Sequence, residues 1–166
     1  MQKIQIYESP LGKLTFVSDG LALTGIWFDK QEPLQLILKA PHEVCNLPIF
    51  DETRLWFDTY FNGQQPAFIP RLSLIGTAFR QQVWRNLQLI PYGETTSYGT
   101  LAKQIGQQLG KNKMSAQAIG GAVGNNPISI IVPCHRVVGT NGTMTGYAGG
   151  IWRKEFLLDL EAKNRR

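Results

Sequence analysis

The chain has 166 residues, enough for one domain of ordinary size or two small halves and too few for a modular assembly. Apolar residues make up 43% and charged residues 17%, which excludes a disordered or coiled-coil chain, and 17 glycines with 9 prolines point to short elements broken by many turns. Five basic and eight acidic residues lie in residues 1–70, a net of −3, whereas twelve and four lie beyond, a net of +8. A basic C-terminal part suits a polyanion partner, because neutralising phosphates releases counterions; a solvated basic surface is the plainer alternative. No transmembrane run exists, and Gln2, Lys3, Gln5 and Glu8 interrupt any signal-peptide core near the start, so a cytoplasmic location is expected, with Cys45 and Cys134 as reduced thiols.

Apolar residues alternate at Ile4 and Ile6, at Leu14 and Phe16, and through Leu21, Leu23, Ile26 and Phe28, with Leu11-Gly12 and Asp19-Gly20 between the runs. This pattern predicts a β-meander, and the Asp-Gly pair predicts a type I′ hairpin, whose central positions need positive φ. A helical stretch follows Pro33, and a second spans about 50–61 with Thr53, Trp56, Phe57 and Tyr60 on one face, stopped by Asn62-Gly63. Pro66 and Pro70 bracket a linker. The composition then turns basic and helical, which sets the expected domains at 1–75 and 76–166.

Thr77 can cap a helix carrying Phe79, Val83, Leu87 and Ile90, which closes at Pro91-Tyr92-Gly93. Ser97 caps a shorter one with Leu101, Ala102 and Ile105 inward and Gly106 just past its end, and Ser115 opens another with Ile119, Ala122 and Val123 inward. Two short helices in sequence resemble a helix-turn-helix, although the loop from Gln107 to Met114 exceeds the usual three or four residues. The outward face of the second helix reads Gln117, Gly120, Gly121 and Gly124. Glycine within a helix costs about 1 kcal/mol relative to alanine, so the Gly120-Gly121 pair needs a reason. A nearly bare face can enter a DNA minor groove, and close packing inside the protein is the alternative.

Ile128 to Val132 is an apolar run that predicts a buried strand delivering Pro133-Cys134-His135-Arg136. Cysteine reacts as its thiolate, whose pKa a cationic neighbour or adjacent base must lower, and His135 and Arg136 follow directly. Cys45 has neither and reads as a packing residue. His42 and Cys45, with Cys134-His135, could be imagined on a metal, but structural zinc sites use paired ligands at wider spacing. A phosphatase loop fails because the position six after the cysteine is Thr140, and a papain-like hydrolase would have only His42 as its distant base.

The stretch Ile130-Ile131-Val132-Pro133-Cys134-His135-Arg136-Val137 resembles the active-site signature of the O6-alkylguanine-DNA alkyltransferases. The likeness runs in order over roughly 75–161. It takes in Pro91-Tyr92-Gly93-Glu94, Ser97-Tyr98, Gly120-Gly121-Ala122, Asn126-Pro127, Gly146-Tyr147-Ala148-Gly149-Gly150, Lys154-Glu155, Leu157-Leu158 and Glu161. The N-terminal half is consistent with the family's ribonuclease-H-like half. The resemblance implies an α/β fold: that half, made of a β-meander plus helices, followed by a mostly helical half with a helix-turn-helix and the active-site cysteine.

The implied activity is direct DNA repair. Cys134 would accept, irreversibly and once per molecule, a methyl or larger alkyl group from O6-alkylguanine, and from O4-alkylthymine, in DNA; no cofactor or metal is implied. By the same resemblance His135 is the base, acting through a water, and Glu161 orients it. Asn126 fixes the turn before the strand, Arg136 braces the site by ion pairing, and Tyr98 donates to guanine nitrogen 3. Tyr147, Ala148 and Gly149 would wall the pocket, with the Ala148 amide reaching oxygen 6 and the carbonyls of Cys134 and Val137 accepting from the exocyclic amine. Ser115, Ala116, Gln117, Gly120 and Gly121 would meet duplex DNA through the minor groove, with the target base flipped out. Gln117 departs from the pattern, since many members place there an arginine that fills the gap left by that base; Ala148 likewise stands where some have serine. A monomer without membrane contact is expected. A non-catalytic helix-turn-helix protein recognising alkylated DNA is the competing reading, and a cysteine hydrolase is a third.

Overall fold

The computed structural model describes residues 1–165. Its contacts divide the chain into two compact units: Met1–Leu74 together with Pro127–Ser129, and Ile75–Asn126 together with the chain from Ile130 onward.

In the first unit, β1 (Gln2–Ser9), β2 (Gly12–Ser18) and β3 (Leu23–Phe28) form the expected antiparallel meander. A short β4 (His42–Val44) adds in parallel beside β1, giving the order β3-β2-β1-β4. Strand periodicity sends alternate residues to opposite faces. Ile4, Val17 and Trp27 pack with Leu34 and Ile37 of α1 (Glu32–Lys39). On the other face Phe16 stacks with Tyr7 and with Phe57 of α2 (Pro48–Phe61), ring centroids 5.5 Å apart in each case. Burying each large side chain contributes about 1.5–3 kcal/mol. Ile6, on the same strand face as Ile4, is nevertheless exposed.

The Asp19-Gly20 turn differs from the expected type I′. Only Gly20 has positive φ (110°), and the Asp19 carboxylate accepts from the Leu21 and Ala22 amides at 2.9 and 3.0 Å. The side chain thus supplies a local acceptor and closes a longer Asx-type loop.

In the second unit, α3 (Ala78–Gln88), α4 (Tyr98–Gln108) and α5 (Ala116–Gly124) pack together. All three start at the expected caps: Thr77, Ser97 and Ser115 hydroxyls accept from the amides of Arg80, Thr100 and Ala118. Each such cap is worth about 1 kcal/mol. The buried Trp84 indole donates to the Ala122 carbonyl at 2.9 Å and ties α3 to α5. Helix α4 runs three residues further than expected, so Gly106 lies inside it, and a Cβ there would stand 3.2 Å from the Lys111 carbonyl oxygen. That close approach favours glycine; the left-handed residue after the helix is Gly110 (φ 69°).

The predicted strand over 128–132 does not form as a continuous element. Ile128 makes an isolated parallel bridge with Ile26, and Ile130 has φ 72°, the left-handed region, which breaks the run. A 3-10 turn Cys134–Arg136 follows, then β6 (Val137–Val138), paired in parallel with β5 (Thr96–Ser97), and finally α6 (Ile151–Lys163). Among the described residues no helix is long and apolar enough to cross a membrane.

Candidate active site

Cys134 is the first residue of the 3-10 turn and is buried. Its amide bonds the Val132 carbonyl at 2.8 Å, and the same carbonyl accepts from the Asn126 side chain at 2.8 Å. Asn126 therefore clamps the backbone just ahead of the cysteine. The next residue, His135, is fully buried, and its Nε2 lies 2.7 Å from Glu161 Oε2 on α6. Arg136 grips the same carboxylate, Nε to Oε1 at 2.8 Å and Nη2 to Oε2 at 3.1 Å, while its Nη1 donates to the Ile90 carbonyl at 2.8 Å. The Gly93 amide adds a bond to Glu161 Oε1 at 3.2 Å.

The protonation states follow from this arrangement. Burial alone would raise the Glu161 pKa, but the hydrogen bonds and charges of His135 and Arg136 outweigh it and hold the carboxyl well below the usual range. An ionised carboxylate only accepts, so His135 Nε2 carries the proton. Burial lowers the His135 pKa despite the opposing pull of Glu161, which leaves the ring neutral. Nδ1 is then a bare acceptor, buried and without a protein partner. Burial pushes the Cys134 thiol up, against smaller lowering effects from an Asn126 hydrogen bond and the charge of Lys154. At rest Cys134 is thus a thiol and His135 a neutral imidazole whose Nδ1 lone pair is open.

The family likeness took in Lys154-Glu155, but sequence reasoning gave Lys154 no role. It is fully buried on α6, and its Nζ donates to the Val137 carbonyl at 2.6 Å and to the Thr145 carbonyl at 3.3 Å. Burial lowers its pKa, and the nearby Cys134 opposes that. The cation that acts on the thiol is therefore Lys154, twenty positions on, rather than the adjacent Arg136, which is committed to Glu161. The available signal was a lysine at an inward position of α6, with Leu157 three residues further on and Glu161 seven.

The remaining site residues fall in two groups. Tyr98 is the half-buried first residue of α4, and the β5–β6 pairing ties that helix start to the strand after the cysteine. Val137 begins β6. Tyr147, Ala148 and Gly149 form a turn closed by the Gly150 amide on the Tyr147 carbonyl at 2.8 Å, and Gly150 (φ 96°) starts α6. The Cys134 carbonyl accepts from the Val137 amide, and the Val137 carbonyl accepts from Lys154.

The second group lies on α5. Ser115, Ala116 and Gln117 are exposed, and a Cβ built on Gly120, Gly121 or Gly124 would meet nothing within 4 Å. Close packing within the protein is thus not the reason for these glycines. Cys45 is half-buried at the β4 edge, and among the described residues no three His, Cys, Asp or Glu side chains are placed to hold a metal.

A buried thiol, an oriented neutral imidazole and an ionised carboxylate make this a cysteine-nucleophile site on a helix-turn-helix scaffold. Two family models match: "6-O-methylguanine DNA methyltransferase, ribonuclease-like domain" over residues 3–74, and "6-O-methylguanine DNA methyltransferase, DNA binding domain" over residues 78–163. The methylated-DNA--protein-cysteine methyltransferase of Haemophilus influenzae is 46% identical over 161 residues, 93% of this chain and 83% of its own length. Its namesake in Methanosarcina acetivorans is 43% identical over 157 residues, 94% of this chain and 96% of its own. The crystal structure of Mycobacterium tuberculosis OGT in complex with DNA matches with a TM-score of 0.85 at 41% identity, covering 98% of this chain and 94% of that one. The chain belongs to the 6-O-methylguanine DNA methyltransferase family, as the resemblance over 75–161 implied, and the α/β fold class holds. These relatives are named as methyltransferases, which weighs against the non-catalytic reading.

Proposed function

We propose that this protein repairs DNA by transferring an alkyl group from O6 of guanine, and from O4 of thymine, to its own Cys134, once per molecule. The observation that carries the reading is His135 Nε2 held at 2.7 Å from Glu161, with the buried Nδ1 unpartnered in the residue that directly follows the buried Cys134. His135 Nδ1 takes the thiol proton through a water, and the sulfur attacks the alkyl carbon. The S–C bond forms as the C–O6 bond breaks, and its electron pair passes to the guanine. Tyr98 supplies a proton to ring nitrogen 3, so guanine does not leave as an anion. The imidazolium formed in this step is stabilised by Glu161, which Arg136 and the Gly93 amide hold in place. Tyr147, Ala148 and Gly149, with the Cys134 and Val137 carbonyls, read the base.

Duplex DNA is the partner, met by Ser115, Ala116, Gln117, Gly120 and Gly121 in the minor groove with the damaged nucleotide flipped out, because a stacked base cannot reach a buried thiol. The free thiol suits the reducing cytoplasm. Intact-mass measurement after incubation with O6-methylguanine DNA tests the reading. One methyl group on Cys134 and no further turnover are expected, and Cys134→Ala should abolish transfer while keeping DNA binding. Multiple turnovers, or transfer lost in Cys45→Ser and kept in Cys134→Ala, would overturn it.

A further inference from the structure

The charge that Gln117 lacks at the bare face of α5 stands on that helix's flank. At 100° per residue, Gln117, Gly120, Gly121 and Gly124 share one side of α5, and Ile119, Ala122 and Val123 bury the other. Ala118 lies between them. Ser115 and Ala118 line a cleft of about 580 Å³ together with Arg85 of α3, Lys111 and Lys113 of the loop between α4 and α5, and the apolar Phe79, Leu109 and Met114. This is the loop whose length exceeded that of an ordinary helix-turn-helix turn. It is anchored rather than trailing: the Lys111 amide bonds the Gly106 carbonyl at 2.8 Å, and Ser115 caps the helix that follows.

Residues 75–130 contain five basic residues and a single acidic one, Glu94. Among the described residues no carboxylate pairs with Arg85, Lys111 or Lys113. Three exposed like charges around one cleft repel one another, an arrangement that a bound polyanion would relieve. A helix laid in a minor groove has a sugar-phosphate strand along each flank, so the strand on the Ala118 side would run past this cleft.

Resting on the proposed reading of α5 as the minor-groove helix, we propose that Arg85, Lys111 and Lys113 form a phosphate clamp for one strand of duplex DNA. The ligand is a run of backbone phosphodiesters, recognised without regard to base sequence. The clamp supplies affinity and orientation from the helix flank, where a charged residue at position 117 would supply them from its tip.

The salt dependence of binding to a duplex containing O6-methylguanine tests the clamp. Each lysine-phosphate contact contributes about 0.9 to the slope of log K against log salt, so the double variant K111Q/K113Q should lower that slope by about 1.8 and weaken binding at low salt by about tenfold or more. R85Q should lower it by about half as much, and K111R/K113R should keep it. The control K13Q/K39Q, in the other unit, should match the wild type. Melting temperature checks the fold of each variant, since all these side chains are exposed. An unchanged slope in K111Q/K113Q, or an equal fall in the control, would overturn the clamp. Intact mass of the wild-type protein after reaction is a separate readout: no alkyl group on Cys134 would sink the proposed function, while the slope would still report on the clamp.

Discussion

The carboxylate of Glu161 accepts from His135, Arg136 and Gly93, whereas the glycine face of α5 meets nothing of its own chain within 4 Å of an added methyl group. Both regions belong to the same unit, and each breaks an ordinary rule in the opposite direction. Around Cys134 charged groups are buried, which is tolerable only when they are paired and hydrogen-bonded. On α5 small residues sit in a helix that would be more stable with alanine. The first region spends its interactions internally, so that an imidazole, a carboxylate and two cations are held by the protein's own groups. The second withholds them, which makes sense if the surface that covers it belongs to another molecule.

Breaking the saturated region should have the largest effect. Glu161→Gln removes the ion that fixes His135 and leaves the Arg136 guanidinium buried without a counter-charge. The single-turnover transfer rate should fall about a hundredfold, within the range lost with a general base, and stability should fall by about 3 kcal/mol. An unchanged rate and thiol pKa would remove Glu161 from the relay.

The same pair makes the fold acid-sensitive. The folded state disfavours protonated His135, so as pH falls below the ordinary histidine value of 6.5 the unfolded chain gains protons that the folded chain refuses, and stability drops. Glu161, depressed from an ordinary 4.5, contributes fully above that value and loses its contribution as pH falls through its lowered pKa. Melting temperature should therefore decline below about pH 6.5 and more steeply below about 4.5, the lower step vanishing in Glu161→Gln. A flat profile would contradict these assignments.

Lys154→Met tests the part of this region that lay hidden in the sequence. It keeps the side chain's bulk but removes the cation near Cys134 and the bonds to the Val137 and Thr145 carbonyls. The thiol pKa should rise and the rate of alkylation should fall about tenfold, a modest loss for one positioned charge. If the rate falls while the thiol pKa stays put, Lys154 acts only by holding the pocket backbone.

What could be read ahead of the structure divides along the same line. Caps and faces are local properties, so Thr77, Ser97 and Ser115 marked their helices, and the inward residues of α5 were legible from their spacing. The resemblance around Pro133-Cys134-His135 pointed to Cys134, His135 and Glu161, and the last two meet at 2.7 Å beside a chain turn that buries the first. The directions of Arg136 and Lys154 were not legible, because each is set by a partner seventeen or more residues away and by burial that no short pattern reveals. The 128–132 run misled for a related reason. Apolar content predicts burial, and burial is what Ile128, Ile130 and Val132 have, but the left-handed Ile130 makes the segment a turn. Asp19-Gly20 closed the right hairpin with the wrong turn, since the Asp19 side chain competes with the backbone for its amides.

A smaller effect sharpens the contrast from the other side. Gly120→Ala and Gly121→Ala place a methyl group in open space on a helix, so thermal unfolding should show a gain of about 0.5–1 kcal/mol each. Gly106→Ala should lose stability instead, because its methyl would press on the Lys111 carbonyl. The proposed minor-groove fit requires the two stabilised variants to bind duplex DNA several-fold more weakly. A stability gain with unchanged DNA affinity would leave the bare face without the purpose assigned to it.

The subtlest change is Gln117→Arg, on the open face itself. A neutral amide at this position can fill the space of a flipped base and bond the orphaned partner, but it brings no charge to the groove. Arginine should raise the repair rate on duplex DNA a few-fold and steepen its salt dependence by about one contact. A free alkylated base needs no flipping, so the gain should be confined to the duplex. Equal gains on both substrates would put residue 117 at the pocket, and no gain on either would mean that this face does not enter the DNA. The variant also probes the clamp, because a cation at the helix tip and cations on its flank would serve one duplex. In the K111Q/K113Q background the added arginine should restore part of the lost salt slope, and failure to do so would separate the two surfaces.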